Sequence, residues 1–330
     1  MKSGEQADSG VLEIGFSAED VARTRFAVSP LWEVVASVRV LKGADPSGLH
    51  HRWTEWVEPL LAAAKLDLTP LLGLVPVPTV AIPGFLVPPP TTPQPSLEVE
   101  LTTLRATPPW QLRTTVREVK PYVDAIREDP ERGLARLADV IAAYWEVALA
   151  PYWPRIRALC EGDILHRAMR FAEGGARRLF ADLNSRIAWE SGVLRLDHRY
   201  LSGTRDLAGR GLLLVPSAFV WPRVFATLED EDPLPTLRYP PRGIGTLWAP
   251  SPQPHSEALA GVLGRSRALL LAELAAPAST TDLAHRTGLT PGGVSQHLTA
   301  LRAAGLVSAH RTGRVVLYAR TPVAEALTGH

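Results

Sequence analysis

A single cysteine, Cys160, stands among 330 residues, which excludes a disulfide framework and any Cys-based zinc site. An excess of one charge is missing too. The 35 Lys and Arg balance 34 Asp and Glu to a formal net charge of +1, so the chain is not basic throughout. Uninterrupted apolar runs are also lacking. The uncharged stretch from Leu68 to Ser96 is long enough to raise the question of a membrane span. Pro70, Pro76, Pro78, Pro83 and Pro88 to Pro90 break it repeatedly, and such a backbone cannot satisfy its own hydrogen bonds in lipid. No membrane association is expected. Met1 to Gly10 has no apolar core behind Lys2, so a loose start is expected there rather than a signal peptide.

Catalytic constellations are absent from the sequence. There is no Gly-x-Ser-x-Gly elbow, Walker loop, His-Glu-x-x-His pair or dinucleotide fingerprint. Gly209-Arg-Gly211 and Gly174-Gly175 lack the context of a phosphate loop and read as turns. The best lure for a metal is His50-His51, with Asp45, Glu55 and Glu58 nearby. Adjacent residues on a helix diverge by about 100°, however, so both imidazoles cannot readily face one ion. Cys160, Glu161, Asp163 and His166 have no metal-type spacing and read as a solvated helix edge. The expectation is therefore no catalytic residue, no metal and no cofactor.

What is present concentrates near the C-terminus. From Ser251 onward seven Arg stand against four acidic residues, a basic end on a neutral body that suits one nucleic-acid face. Ser279 and Asp282 form an N-terminal capping signal. A short helix then runs to Thr287 and stops at Gly288. Thr290 is a natural N-cap with Pro291 at N1, and Val294, Leu298 and Leu301 set an apolar stripe at helical spacing, with Leu306 beyond the helix end. After Gly305, Val307 to His310 and Val315 to Tyr318 read as two strands around Arg311-Thr312-Gly313-Arg314, a hairpin with a basic tip. Two short helices and a hairpin of this kind make a winged helix–turn–helix.

This stretch resembles the ArsR-type winged-helix transcription regulators. The matching residues are Leu263, Gly264, Arg267, Val294, Ser295, His297, Leu298, Leu301, Ala304, Gly305, Leu306, Val307, Arg311, Gly313, Arg314 and Tyr318. The resemblance implies a DNA-binding domain from about Ser256 onward. Off the apolar stripe, Thr290, Gly292, Gly293, Ser295, Gln296, His297, Thr299 and Arg302 are the candidate contacts of the second helix. Arg311 and Arg314 are those of the wing. Gln296 carries the donor–acceptor pair that suits adenine in the major groove. Ser295 and His297 are read as phosphate contacts, with His297 beside the core as the alternative. The metal-sensing part of the likeness does not carry over, because Thr280-Thr-Asp-Leu283 stands where metal-responsive members bear paired cysteines. ArsR-type regulators are dimers. The likeness implies a homodimer using the helix Glu257 to Leu263 and the N-terminal region, bound to double-stranded DNA at an inverted-repeat operator.

The chain is too long for one winged helix. Val11 to Phe16 alternates like a strand, and Ser17 caps a helix opening Ala18-Glu-Asp20. Pro30 opens another through Trp32, Val35, Val38 and Leu41. Leu49 to Ala64 reads as helical, with Trp53, Trp56 and Leu60 on one side. Leu71, Leu72, Leu74, Phe85 and Leu86 make the Pro-rich segment too apolar for a solvated linker, so it is expected to be pinned onto the domain or to cover a cavity. Helices are further expected from Ser96, from Trp110 to Ile126, from Pro130, and from Pro151 to Ala172, with a break at Gly174-Gly175. Beyond Arg186 the pattern turns to strands. A hairpin turns at Ser191-Gly192, and Gly211 to Pro216, Phe219 to Trp221, Val224 to Leu228 and Leu237 to Tyr239 follow. All nine Trp precede the winged helix. They either fill a core or line a pocket for a small apolar ligand.

Phe16 to Ser37, Gly211 to Pro222 and Tyr239 to Trp248 are similar to actinobacterial regulators in which an ArsR-like winged helix follows a long N-terminal domain of unassigned function. The fold class expected is mainly α with minor β: a helical domain over 1–185, a β-rich extension of it over 186–250, and a winged helix–turn–helix over 256–328. The function expected is a cytoplasmic, nucleoid-associated DNA-binding regulator, a repressor, with an effector-sensing or oligomerising N-terminal domain. An interaction scaffold or an enzyme with a DNA-binding tail are the alternatives.

Overall fold

The computed structural model describes residues 10–79, 81–198, 202–228, 234–248, 256–274, 277–312 and 315–328, with the side chains of all but His198, Ser256 to Ala258, Arg311, Thr312, Val315 and Ala326. The expected loose start before Gly10, the joint at 250–255 and Arg314 lie outside the described residues. The chain forms two compact units, residues 1–248 and 249–330.

The first unit begins with β1 (Gly10–Gly15), α1 (Ala18–Arg23) and β2 (Arg25–Phe26). Ser17 caps α1 as its spacing implies: its Oγ accepts from Asp20 N at 3.1 Å, and Asp20 accepts back from Ser17 N at 2.9 Å. The same carboxylate accepts from Gly211 N at 3.0 Å. Gly211 has φ +72, and a Cβ there would lie 2.6 Å from Arg23 O, so only glycine lets these two backbones meet.

α2 (Pro30–Leu41) is the axis of the unit, buried from Pro30 to Val40. Sharing its core are α3 (His51–Ala64), α4 (Thr69–Leu74), α5 (Leu97–Arg105), α6 (Lys120–Glu128), α7 (Pro130–Ala148) and the kinked α8 (Trp153–Phe180). α8 loses helical geometry at Gly174 and Gly175, where the sequence breaks it. α3 does not bury the side read from its sequence. Trp53 is buried with Val57, whereas Trp56 and Leu60 are 44 % and 49 % exposed. Pairs at a four-residue interval lie on one face, and the face chosen is 53–57 rather than 56–60. The helix expected over 110–126 is mostly absent. A 3-10 turn occupies Pro109–Gln111, and helix resumes only at Lys120, with Pro121 in its first turn.

The Pro-rich segment is held against α2. Lys42 Nζ donates to Leu72 O at 3.0 Å and Val75 O at 2.6 Å, while Leu71, Leu74, Phe85 and Leu86 are buried.

Then come β3 (Ile187–Glu190), β4 (Val193–His198), β5 (Gly203–Asp206), β6 (Leu213–Pro216), β7 (Phe225–Thr227) and β8 (Thr236–Tyr239). The β part is not confined to 186–250, because β1 and β2 complete it. One sheet runs β3-β4-β1-β5 and the other β2-β6-β8-β7. Leu12, Ile14, Leu194 and Leu196 of the first share a core with Leu214, Leu237 and Tyr239 of the second, together with Leu179 and Phe180 of α8.

Phe219 to Trp221, expected as strand, is a 3-10 turn over Ala218–Val220. Glu33 is the reason. Its buried carboxylate accepts from Ala218 N at 2.7 Å, Phe219 N at 3.3 Å and Ser217 Oγ at 3.1 Å, so these donors are satisfied away from the sheet. Glu100 does the same for the start of α2, accepting from Leu31 N at 2.7 Å and Ser29 Oγ at 2.6 Å. Burial pushes both carboxyls up to about 7, against the hydrogen bonds that favour their ionised forms.

The helix edge at 160–166 is not solvated as expected. Asp163 is buried, accepting from Tyr239 Oη at 2.8 Å and Arg242 N at 3.1 Å, and Cys160 is buried as a lone helical cysteine, its Sγ donating to Pro216 O at 3.6 Å. His50 and His51 diverge. His50 is buried with its Nδ1 accepting from Trp248 Nε1 at 2.9 Å, and exposed His51 lies 3.3 Å from Glu55.

The second unit holds α9 (Ser256–Leu263), α10 (Arg265–Glu273), β9 (Ala278–Ser279), α11 (Thr280–Thr287), α12 (Pro291–Ala303), β10 (Val307–Thr312), β11 (Val315–Arg320) and α13 (Pro322–Thr328). Its core joins Leu270, Leu271, Leu283, Val294, Leu298, Leu301 and Leu306. Helix outweighs strand over the chain, mainly α with minor β. No helix among the described residues is long and apolar enough to cross a membrane.

Candidate nucleic-acid interface

Local signals place each part of the candidate interface. Ser279 and Asp282 form a reciprocal capping box, with Ser279 Oγ accepting from Asp282 N at 3.2 Å and Asp282 accepting from Ser279 N at 3.1 Å. α11 ends at Gly288, whose φ of +71 lets the chain reverse. Thr290 then caps α12, its Oγ1 accepting from Gly293 N at 3.2 Å. Val294, Leu298 and Leu301 are buried, which fixes the roll of α12.

With that roll fixed, about 100° per residue places every other side chain. Gly292, Gln296, Thr299 and Ala303 fall opposite the core stripe, all within about 50° of its reverse direction. All four are exposed. Ser295 and Arg302 lie on one flank, exposed, and His297 on the other, half-buried. The reading of His297 as a packed residue beside the core therefore fits its place as well as a phosphate contact does. Gln296 is the only long side chain on the outer face. Thr299 Oγ1 donates back to Ser295 O at 2.8 Å, and a Cβ on Gly292 would meet nothing within 4 Å. The outer face is thus a smooth ridge with one hydrogen-bonding projection.

The wing is an antiparallel hairpin in which Val307 lies opposite Arg320 and Thr312 opposite Val315. Gly313 and Arg314 fall between them and lie outside the described residues, as does the side chain of Arg311. β11 also pairs with β9, Leu317 opposite Ser279 and Tyr318 opposite Ala278. Two residues in strand geometry give no sequence pattern, and β9 went unforeseen. Arg320, a cation beside the wing, serves the fold: it donates to Leu271 O at 2.6 Å and Ala272 O at 2.7 Å, closing the C-terminus of α10.

Residues 265–309 match the family model for bacterial regulatory protein, arsR family. This segment is an ArsR-family helix–turn–helix domain. It supports the chain as a DNA-binding transcription regulator, with α11 and α12 as the helix–turn–helix pair of the matched segment. The match stops at Ala309, so the wing beyond it stands on its own geometry, and the residues before Arg265 carry no family assignment. No curated protein and no solved structure matches the chain.

Outside the ArsR-family domain the first unit has a cleft of about 480 Å³ lined by Lys42, Leu72, Pro76, Pro78, Glu118 and Tyr122 among others. The Pro-rich segment forms one wall of it. Trp32, Trp53, Trp145 and Trp248 are core residues, whereas Trp110 is 60 % exposed. None of the nine lines this cleft.

Proposed function

We propose that this ArsR-type regulator is a repressor that binds an inverted-repeat operator as a homodimer, with α12 in the major groove and an effector acting through the first unit. The observation that carries the reading is the outer face of α12. A rolled, capped helix with small residues and one projecting Gln fits closely against base edges. The exposed apolar side chains Val262, Leu269, Val323 and Leu327 on α9, α10 and α13 support assembly through that end of the domain. Two-fold symmetry then sets the half-sites about 34–36 Å apart. The cleft beside the Pro-rich segment supports a small, largely apolar effector. Such a protein works in the cytoplasm, at the nucleoid, without cofactor, metal or catalysis.

The test is a gel shift of the full chain on the DNA upstream of its own coding region, at stated salt, beside sedimentation of the free protein. Retention of one specific fragment by a dimer supports the reading. A monomer that binds all DNA alike, or none, refutes it, and the last result would favour a protein-binding winged helix.

A further inference from the structure

The cleft of the first unit, about 480 Å³, takes its walls from two stretches of chain. Leu72, Pro76 and Pro78 come from α4 and the Pro-rich segment after it. Val116 and Glu118 come from the loop into α6, and Tyr122 from the first turn of that helix. Both stretches are held in place. Lys42, itself in the lining, donates its Nζ to Leu72 O at 3.0 Å and Val75 O at 2.6 Å. The Tyr122 ring rests so close on Gly73 of α4 that a Cβ there would overlap it. Only glycine gives the ring that seat, although glycine costs a helix stability. The walls are therefore fixed by the chain's own contacts, as those of small-molecule sites mostly are.

Two charges of opposite sign line this cleft, and neither is answered by the chain. Glu118 is exposed, and among the described residues its carboxylate has neither hydrogen bond nor ion pair. Lys42 spends two of its three N–H donors on backbone carbonyls and has no carboxylate partner among the described residues. Partial burial pushes its ammonium down, and no carboxylate field, that of Glu118 included, offsets the shift. A ligand that fills the cleft takes water from both charges, which is costly unless it answers them. A neutral apolar molecule answers neither. An organic acid meets the like charge of Glu118, and an amine that of Lys42. A molecule with one charge of each sign satisfies both.

We propose that the cleft binds a small zwitterion with an apolar body, of the amino-acid class, its carboxylate on the remaining N–H of Lys42 and its ammonium on Glu118. The apolar body lies among Leu72, Pro76, Pro78 and Val116, with the Tyr122 ring beside it. Lys42 thereby joins the ligand to the backbone of the Pro-rich segment, since the same ammonium holds both. This names the ligand class of the cleft read above as the effector site, and only its consequence for DNA binding rests on that reading.

The test is isothermal titration calorimetry of the full chain with L-phenylalanine and L-leucine. Each is compared with its deaminated acid (3-phenylpropionate, 4-methylpentanoate) and its decarboxylated amine (2-phenylethylamine, 3-methylbutylamine), which keep the apolar body and delete one charge at a time. At least one amino acid should bind, and both its analogues at least about tenfold more weakly, because each leaves one charge of the cleft unanswered. Glu118→Gln should weaken the amino acid by about tenfold or more and leave its acid analogue no weaker. That variant should melt with the parent, since an exposed carboxylate without a partner supports no fold. Binding by neither amino acid overturns the proposal. So does an acid or amine that binds as tightly as its amino acid, or an unchanged amino-acid affinity in Glu118→Gln. Gel shifts with and without the bound amino acid test the effector reading separately: unchanged DNA binding refutes that reading and leaves the titration result standing.

Discussion

Replacing Gln296 by Ala separates base reading from everything else α12 does. The side chain is exposed and makes no hydrogen bond among the described residues, so its removal should change stability by no more than about 0.5 kcal/mol. It stands about 160° from Leu298 around the helix, far from the core stripe. Its neighbours on the outer face are Gly292, Thr299 and Ala303. None can reach as far, so no other side chain on that face can take over its contact. A bidentate pair with adenine discriminates by about 1–3 kcal/mol. Gln296→Ala should therefore weaken the best site roughly fivefold to a hundredfold while leaving non-specific binding where it was. The assay is selection from a random DNA pool with parent and variant, followed by titration on the parent's best site at two salt concentrations. The preference at one base pair per half-site should flatten, and the slope of log affinity against log salt should not move. An unchanged site preference, or an even loss on all sequences, would refute the docking geometry.

Three further outcomes are expected. Arg314→Ala should weaken all DNA sequences alike and lower the salt slope by about one, because a wing-tip Arg neutralises phosphate rather than reading bases; an unchanged slope on filter binding removes the wing from the interface. Leu298→Ala should destabilise the second unit by about 2–5 kcal/mol, since the side chain is fully buried. The loss should appear in the far-ultraviolet circular dichroism transition and not in the Trp fluorescence transition, and equal shifts in both would show that the units unfold as one. Glu33, with its carboxyl raised from 4.5 to about 7 by burial, stabilises the fold fully below pH 4.5 and loses that contribution as the pH rises through 7, because the unfolded state ionises first. The stability advantage of the parent over Glu33→Gln, read by Trp fluorescence in urea, should therefore shrink from pH 5 to pH 8. An advantage that grows over that interval contradicts the assignment.

The parts of the protein legible in its sequence are those whose causes are local. Ser279 and Asp282, Gly288, Thr290 and Pro291 act on residues within four positions, and each sits where its pattern implies. The apolar stripe of α12 then fixed which candidates face outward, and Gln296 stands out because its neighbours are small. What the sequence concealed depends on distant partners. The strand expected at Phe219 is a 3-10 turn because a carboxylate 186 positions away takes its amide. Asp163 looks like a solvated acid until Tyr239, 76 positions on, donates to it. The wrong face of α3 has the same origin. Trp53 donates its Nε1 to Ala148 O at 3.0 Å, and nothing near Trp53 in the sequence distinguishes it from Trp56.

The pairing of β1 with β4, and of β2 with β6, sets an order on the ribosome. Gly15 is made long before its partner Val193, and Phe26 long before Leu214. At about 5–20 residues per second the first strands wait roughly 10–35 s with their edges open. Over that interval the helices around α2 can gather, but neither sheet can close. Deleting the first 26 residues would therefore take a central strand from one sheet and an edge strand from the other, and should leave the nascent chain exposed to aggregation for good. A fusion partner placed ahead of Gly10 should be tolerated, provided it folds within that delay and leaves β1 free to pair.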